Sequence, residues 1–131
     1  MKNKKIGIYG IIIKDKKILL VKNKTHFILP GGKPDKEDFS EENTLKREFK
    51  EELSNTEIVV ESFYGIFMDR DPNSKKEFIA KTYICRLKDE VGEPSEEISE
   101  IAWLGKEEAV NYKISNVNLK VIESLVKKDY L

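Results

Sequence analysis

The sequence has little cysteine, no excess of charge of either sign and no long hydrophobic run. A single cysteine, Cys85, excludes an internal disulfide framework and a zinc site built from several cysteines, and it predicts a reducing, cytoplasmic location. The 24 basic residues balance the 24 acidic ones, which argues against a protein that binds nucleic acid through a basic surface. The apolar run at residues 6–13 is too short to cross a membrane and no cleavage site follows it, so we expect neither export nor a membrane partner.

What the chain does contain is enough apolar sequence for a folded core. Its 131 residues are 39% hydrophobic and 37% charged, which is typical of a globular protein. The sequence shows no internal repeat, low-complexity segment or linker. We therefore predict a single domain over residues 1–131, and we expect any phosphate-bearing partner to be a small molecule.

Six short segments have the apolar, β-branched character of strands. They lie at residues 6–13, 18–22, 27–29, 57–68, 78–87 and 101–104. The first two should form a hairpin around the charged turn at residues 14–17, and the two long ones should pair as antiparallel neighbours across a turn at residues 69–74. Helical patterns at residues 39–53, 106–110 and 118–128 complete an order that favours a mixed sheet packed between helices.

The helix predicted at residues 39–53 carries both start and stop signals. Asp38 followed by Glu41 has the spacing of a capping box, in which each side chain satisfies a backbone N–H of the first turn. Ser54 and Asn55 can end the helix, because asparagine tolerates the left-handed conformation that often closes one.

Three glutamates crowd one face of this predicted helix. Glu48, Glu51 and Glu52 stand at positions i, i+3 and i+4, so their side chains point the same way and repel one another. One interpretation is a solvated charged face, which is common in a chain this rich in charge. The other is a cation site, and the surrounding residues decide between the two.

Those glutamates belong to a longer pattern that resembles the box of the Nudix hydrolases, the MutT-like pyrophosphohydrolases of nucleoside diphosphate derivatives. The box is usually written G-x5-E-x7-R-E-U-x-E-E-x-G-U, where U is a bulky apolar residue. The segment REFKEE at residues 47–52 matches its core fully, and Gly32 matches its opening glycine. The resemblance covers the whole chain and implies an α+β fold, namely an α/β/α sandwich with a mixed central sheet.

The sequence departs from the box at two places. One extra residue separates Gly32 from Arg47, so the first glutamate of the box falls on Asp38 when counted forward and on the next residue when counted backward. Glu37 or Asp38 could take its place through an altered loop. The closing glycine and apolar residue are replaced by the Ser-Asn pair at residues 54–55, which can supply the same helix ending.

The resemblance also implies the chemistry of the site. Carboxylates without a nearby His or Cys make a hard site that suits Mg²⁺, with Mn²⁺ as a substitute. By resemblance, Glu48, Glu51 and Glu52 are the metal ligands, and Glu51 or Glu52 is also a candidate base for the attacking water. The implied reaction is hydrolysis of a diphosphate bond.

Other residues have supporting roles by resemblance, each with a simpler alternative. Arg47 would orient a glutamate, or it is an ordinary surface arginine. Gly31 and Gly32 would let the loop approach metal and phosphate, or they form a plain turn. Lys33 would meet a phosphate, or it is one surface lysine among many. Asn118 resembles a base-contacting asparagine of the family, although a helix N-cap is the more favoured interpretation.

The acidic loop before the last strand offers one more carboxylate. Family members often draw an additional acid from this region, and Glu96, Glu97 and Glu100 are the candidates here. We favour Glu97 as a ligand or base. The alternative is a solvated acidic loop without a role in catalysis.

The sequence leaves three functions open. The first is Mg²⁺-dependent hydrolysis of a diphosphate bond in a small nucleotide or nucleoside diphosphate derivative. The second is a catalytically silent nucleotide-binding or regulatory module, and the third is a structural interaction domain. The glutamate triplet favours the first, because neither binding alone nor packing requires a repulsive face. The substrate stays open, and the family resemblance makes a homodimer a reasonable expectation.

Overall fold

The computed structural model describes residues 4–70 and 75–131, and the predicted turn at residues 69–74 lies largely outside them. Eight strands and three helices follow one another along the described residues. They are β1 (Lys4–Ile11), β2 (Ile13–Lys14), β3 (Lys17–Lys22), β4 (Phe27–Ile28), β5 (Gly31–Gly32), α1 (Glu41–Glu52), β6 (Ile58–Arg70), β7 (Glu77–Leu87), β8 (Glu100–Leu104), α2 (Lys106–Ala109) and α3 (Asn116–Lys127). None of these helices is long and apolar enough to cross a membrane.

One of the two sheets is mixed and has the strand order β5-β1-β7-β6. β1 runs parallel to β7, and the outer strands β5 and β6 pair antiparallel with their neighbours. The predicted antiparallel pairing of the two long strands is confirmed, from Ile58 opposite Leu87 to Arg70 opposite Glu77. The short strand β5 consists of the two glycines of the predicted loop, and it places that loop directly beside β1.

The second sheet is antiparallel and is centred on β3, which pairs with β2, β4 and β8. The predicted hairpin at the start of the chain is wrong in part. Only the two residues of β2 pair with β3, whereas β1 ends at Ile11 and belongs to the other sheet. β1 pairs in parallel with β7 instead. The apolar pattern of a strand does not reveal a partner so far away in the sequence.

Helices cover both faces of the mixed sheet. Ile8 lies in a buried cluster with Leu45 and Phe49 of α1, whereas the next residue, Tyr9, lies in a second cluster with Val121 of α3. Successive residues of a strand point to opposite faces, so α1 and α3 pack on opposite sides of the sheet. The predicted α/β/α sandwich of the α+β class is therefore confirmed.

Candidate active site

The glutamates lie on α1, which begins two residues later than predicted. Ser40 caps its first turn, with its Oγ accepting a hydrogen bond from the Asn43 amide at 3.1 Å. The predicted capping box of Asp38 and Glu41 is therefore wrong. Glu41 instead accepts hydrogen bonds from Tyr83 and from Lys81, the latter at 2.9 Å, and these contacts hold the start of α1 against β7.

The buried stripe of α1 fixes the direction of the glutamates. Leu45, Phe49 and Leu53 are fully buried against the sheets. Because Glu48 and Glu52 flank this stripe, their side chains run along the edge of the core instead of into solvent. The solvated charged face considered from the sequence does not describe these two residues.

Glu52 is the most perturbed carboxyl group of the triplet. Its Oε1 accepts a hydrogen bond from the Gly31 amide at 3.3 Å. Burial, followed by the charge of Glu48, raises the pKa of Glu52 to about 8. Burial also raises the pKa of Glu48, and the neighbouring Arg47 partly offsets that rise. The ionised form of both groups is disfavoured in the folded protein, and a bound cation would favour it again.

Arg47 uses all five of its N–H donors within the site. Nε and Nη2 donate to the two carboxylate oxygens of Asp38, each at 3.0 Å. Nη1 donates to Glu48 at 3.1 Å and to Glu51 at 3.3 Å, and Nη2 also donates to the Lys33 carbonyl at 3.0 Å. An arginine so fully hydrogen-bonded is not an ordinary surface residue.

Asp38, one of the two residues considered for the place of the first glutamate of the box, is a partner of Arg47. Besides Arg47, it accepts hydrogen bonds from the Asp35 amide at 2.8 Å and the Thr44 hydroxyl at 2.9 Å. The hydrogen bonds from Arg47 hold the pKa of Asp38 well below its usual range. Of the two replacements considered from the sequence, Glu37 is exposed and Asp38 makes the contact.

The two glycines bring the loop backbone against the glutamates and β1. Gly31 has φ +145°, and a Cβ there would lie 2.8 Å from the Tyr9 Cα and closer still to the Ile8 carbonyl oxygen. A Cβ on Gly32 would lie 2.5 Å from the Glu48 Oε2. Gly31 excludes a side chain because the atoms in the way are backbone atoms of β1, whereas a side chain at Gly32 would require the Glu48 carboxylate to move.

The acidic late loop is tied to the end of α1 through backbone contacts. The Ser95 amide donates to the Glu52 carbonyl at 2.8 Å, and the Ser95 hydroxyl donates to the Glu51 carbonyl. The Gly92 amide donates to the Thr56 hydroxyl at 2.7 Å. The two bonds from Ser95 satisfy carbonyls that a helix end leaves without partners. Ser95 was missed from the sequence, because a serine in a polar loop carries no signal of its partner.

The three candidate acids of this loop have different surroundings. The charge of Glu97, after burial and nearer charges, contributes to the raised pKa values of Glu48 and Glu52. Glu100 is the first residue of β8 and pairs with Lys22 at 3.6 Å. Glu96 is exposed, with φ +59°. The preference for Glu97 is consistent with these positions.

Lys33 and Asn118 were both candidates for contact with the substrate. Lys33 is exposed, directly after the glycines. Asn118 is buried, and its Oδ1 accepts a hydrogen bond from the Leu29 amide at 2.9 Å. Asn118 is not the N-cap of α3, because Ser115 holds that position. The N-cap interpretation is thus wrong.

The donor set of the site fits a divalent metal of the hard class. The three glutamates offer carboxylate oxygens alone, which are the ligands that Mg²⁺ and Mn²⁺ prefer. Among the described residues, no three His, Cys, Asp or Glu side chains already converge as a finished metal site. Arg47 holds Glu48 and Glu51 by hydrogen bonds. Both carboxylates keep oxygen lone pairs for a metal.

Glu52 predicts a pH dependence of stability in the metal-free protein. Its pKa is about 8 in the folded state, against an ordinary value of 4.5. The folded state thus retains a proton that the unfolded chain loses, and this stabilisation is complete below about pH 4.5 and lost as the pH rises through about 8. We expect the Glu52 contribution to the free energy of unfolding to fall by at most about 1.4 kcal/mol per pH unit in this window.

Urea unfolding in chelator between pH 5 and pH 9 measures the slope of the free energy of unfolding against pH. Glu52→Gln carries no titrating group at this position, so its slope should be shallower than that of the unmodified protein. Identical slopes for the two proteins would contradict the assignment of the raised pKa to Glu52.

The fold and the site together define an α+β protein with a carboxylate-bearing helix beside a glycine loop. The sequence model of the NUDIX domain family matches residues 2–125, and the chain belongs to this family. The predicted family is thus confirmed. Membership also supports the predicted class of enzyme, a hydrolase of pyrophosphate bonds.

Solved structures of the same fold cover nearly the whole chain. The MutT protein from Methanosarcina mazei is 22% identical with a TM-score of 0.80, over 98% of this chain and 96% of that one. The MutT NUDIX hydrolase from Burkholderia pseudomallei is 22% identical with a TM-score of 0.77, over 93% and 98%. The NUDIX domain of Shewanella oneidensis NrtR, solved with ADP ribose, is 17% identical with a TM-score of 0.74, over 98% and 90%. No curated protein sequence matches the chain.

Proposed function

We propose that this protein hydrolyses a diphosphate bond in a small nucleotide or nucleoside diphosphate derivative, with Mg²⁺ as its metal and Mn²⁺ as a substitute. The observation that carries the proposal is the pair of perturbed carboxylates, Glu48 and Glu52, beside the Gly31 and Gly32 backbone. Burial and repulsion from neighbouring carboxylates disfavour both charges, and a divalent cation would relieve the two effects together.

Glu48, Glu51 and Glu52 would hold the metal. When bound, the metal would neutralise phosphate charge and would lower the pKa of a bound water. Glu51 or Glu52 would accept the proton of the attacking water, with Glu97 as the third candidate base. Glu51 is about half exposed, with 49% of its side chain accessible, so it has room to turn toward a metal or a water.

Arg47 and the glycine loop would position these groups. Arg47 contacts Glu48 and Glu51 at once, so it would limit the orientations available to both carboxylates. Gly31 and Gly32 would admit a phosphate close to the backbone, and Lys33 would meet its charge from the loop that follows. Asn118 would act on the substrate indirectly. Its Oδ1 accepts the hydrogen bond of the Leu29 amide and so would position the glycine loop, which begins after Pro30.

A nucleotide-binding module without turnover is the second candidate. The NUDIX domain of NrtR was solved with ADP ribose. In this chain, the contacts of Arg47 occupy part of the Glu48 and Glu51 carboxylates. These observations fit binding as well as catalysis, so turnover has to be measured.

A substrate panel with and without metal separates the two candidates. Phosphate release from nucleoside triphosphates, ADP ribose and other nucleoside diphosphate derivatives is measured with Mg²⁺ and with chelator. We expect turnover of at least one compound that depends on Mg²⁺ and is recovered with Mn²⁺. No metal-dependent turnover of any compound, with binding of one of them retained, would favour the silent module.

Glu97 is expected to contribute to turnover and not to stability. Glu97→Gln should lower turnover by about 10²-fold, as the loss of a general base commonly does, with the melting temperature nearly unchanged because the side chain is exposed. Glu96→Gln is the matched control and should stay within twofold of the unmodified protein. Activity of Glu97→Gln within twofold would remove Glu97 from the site.

Several expectations about the molecule as a whole are part of the same proposal. A small-molecule substrate, no nucleic-acid partner and a cytoplasmic location follow from the balanced charge and the single cysteine. A single domain over residues 1–131 and a homodimer stay predictions. Sedimentation of the purified protein would measure the oligomeric state directly.

A further inference from the structure

A cavity of about 410 Å³ lies between the mixed sheet and the start of α3, and one of its lining residues, Tyr9, pairs with Gly31 of the glycine loop in the register of β1 and β5. Tyr9 and Phe78 line it, with ring centroids 6.0 Å apart. Tyr9 also lies near the glutamates. Burial raises the pKa of its hydroxyl, and the negative charges of Glu52 and Glu48 raise it further. A cavity of this volume takes a group the size of a nucleoside.

Positive charge dominates the lining of this cavity. Among the described residues that line it, the positive charges of Lys5 and Arg70 exceed the one negative charge, that of Asp69. Asp69 is already paired with Lys120, at 3.5 Å. The chain as a whole has equal numbers of acidic and basic residues, so this local excess does not follow from composition.

The Asn118 amide, a candidate for contact with a base, has other hydrogen-bond partners. Asn118 lines the cavity and is only 3% exposed. Its Oδ1 accepts from the Leu29 amide at 2.9 Å, and its Nδ2 donates to the Ser115 hydroxyl at 2.5 Å. A bidentate contact to a base edge needs both of these atoms. The lining therefore favours charge recognition over base recognition.

We propose that this cavity selects substrates that carry a second phosphate, a phosphomonoester separate from the diphosphate, with Lys5 and Arg70 as specificity-determining residues. The inference rests on the proposed function, since it places the diphosphate at the glutamates. Lys5 is only partly exposed, and a partly desolvated ammonium attracts a phosphate more strongly than an exposed one does. Arg70 is held in place by its Nη1, which donates to the Lys75 carbonyl at 2.9 Å.

Binding in the presence of chelator tests the cavity apart from hydrolysis. AMP and adenosine 3′,5′-bisphosphate differ by one phosphate, and calorimetry gives the affinity of each. We expect the bisphosphate to bind at least tenfold more tightly, and Lys5→Gln to reduce this preference to about twofold. Lys4→Gln is the matched control, because Lys4 is the exposed neighbour that pairs with Glu77 at 4.0 Å, and it should keep the preference.

Equal affinities, no binding of either nucleotide at millimolar concentration, or a preference that survives both Lys5→Gln and Arg70→Gln would overturn the proposal. Arg70 is exposed, so its variant stays informative if Lys5→Gln does not fold. With Mg²⁺, kcat/KM for NADP should exceed that for NAD by about tenfold, mainly through KM. A binding preference without any turnover would reject the proposed function and leave the cavity assignment intact.

Discussion

Glu52→Gln is expected to lower Mg²⁺-dependent turnover by about 10³-fold or more while leaving the metal-free protein as stable as before at low pH and more stable above the ordinary glutamate range, where the buried carboxyl of Glu52 would ionise. The change removes a proposed metal ligand and a candidate base together, which would account for about 4 kcal/mol of lost transition-state stabilisation. Stability should hold, because the glutamine oxygen can still accept the hydrogen bond of the Gly31 amide. Relief of like-charge repulsion contributes about 0.2–0.5 kcal/mol per pair in the favourable direction.

Initial rates across a Mg²⁺ titration and thermal melts in chelator measure the two effects separately. Excess Mg²⁺ should recover only the part of the loss that is due to weaker metal binding. Glu42→Gln is the matched control, because Glu42 is an exposed glutamate of the same helix that pairs with Lys46 at 2.9 Å. A variant at Glu52 that loses more than about 1 kcal/mol of stability but keeps its activity per folded molecule would assign this glutamate to structure.

Gly31→Ala is expected to lower the free energy of unfolding by about 3 kcal/mol or more. A methyl group at this position would meet the backbone of β1 at Ile8 and Tyr9, which has no room to move within the sheet. The φ of +145° adds a conformational cost that glycine does not have. The amide that donates to Glu52 would move with the loop, so activity should fall as well.

Gly65→Ala is the control for this change. A Cβ on Gly65 would have its nearest neighbour at 3.4 Å, in the ring of Phe67, which is an ordinary contact. We expect this variant to cost about 1 kcal/mol or less in urea unfolding. A loss at Gly31 no larger than the loss at Gly65 would show that the β1 backbone accommodates a side chain next to the glycine loop.

The sequence by itself determined the local parts of this protein. The helix that carries Glu48, Glu51 and Glu52 follows from contacts three and four residues apart, and the two long strands follow from their apolar pattern. The family was evident from the residues of the box. These features are encoded within short windows, so no knowledge of distant partners is needed to predict them.

The tertiary structure alone decided which distant groups meet. It assigned β1 to the sheet of β7, chose Asp38 as the partner of Arg47, and brought Ser95 to the end of α1. In each of these contacts, the sequence around one group does not indicate which group it will bind. Such pairs depend on strand order and loop path, because a buried donor or acceptor binds the partner that the whole fold places within reach.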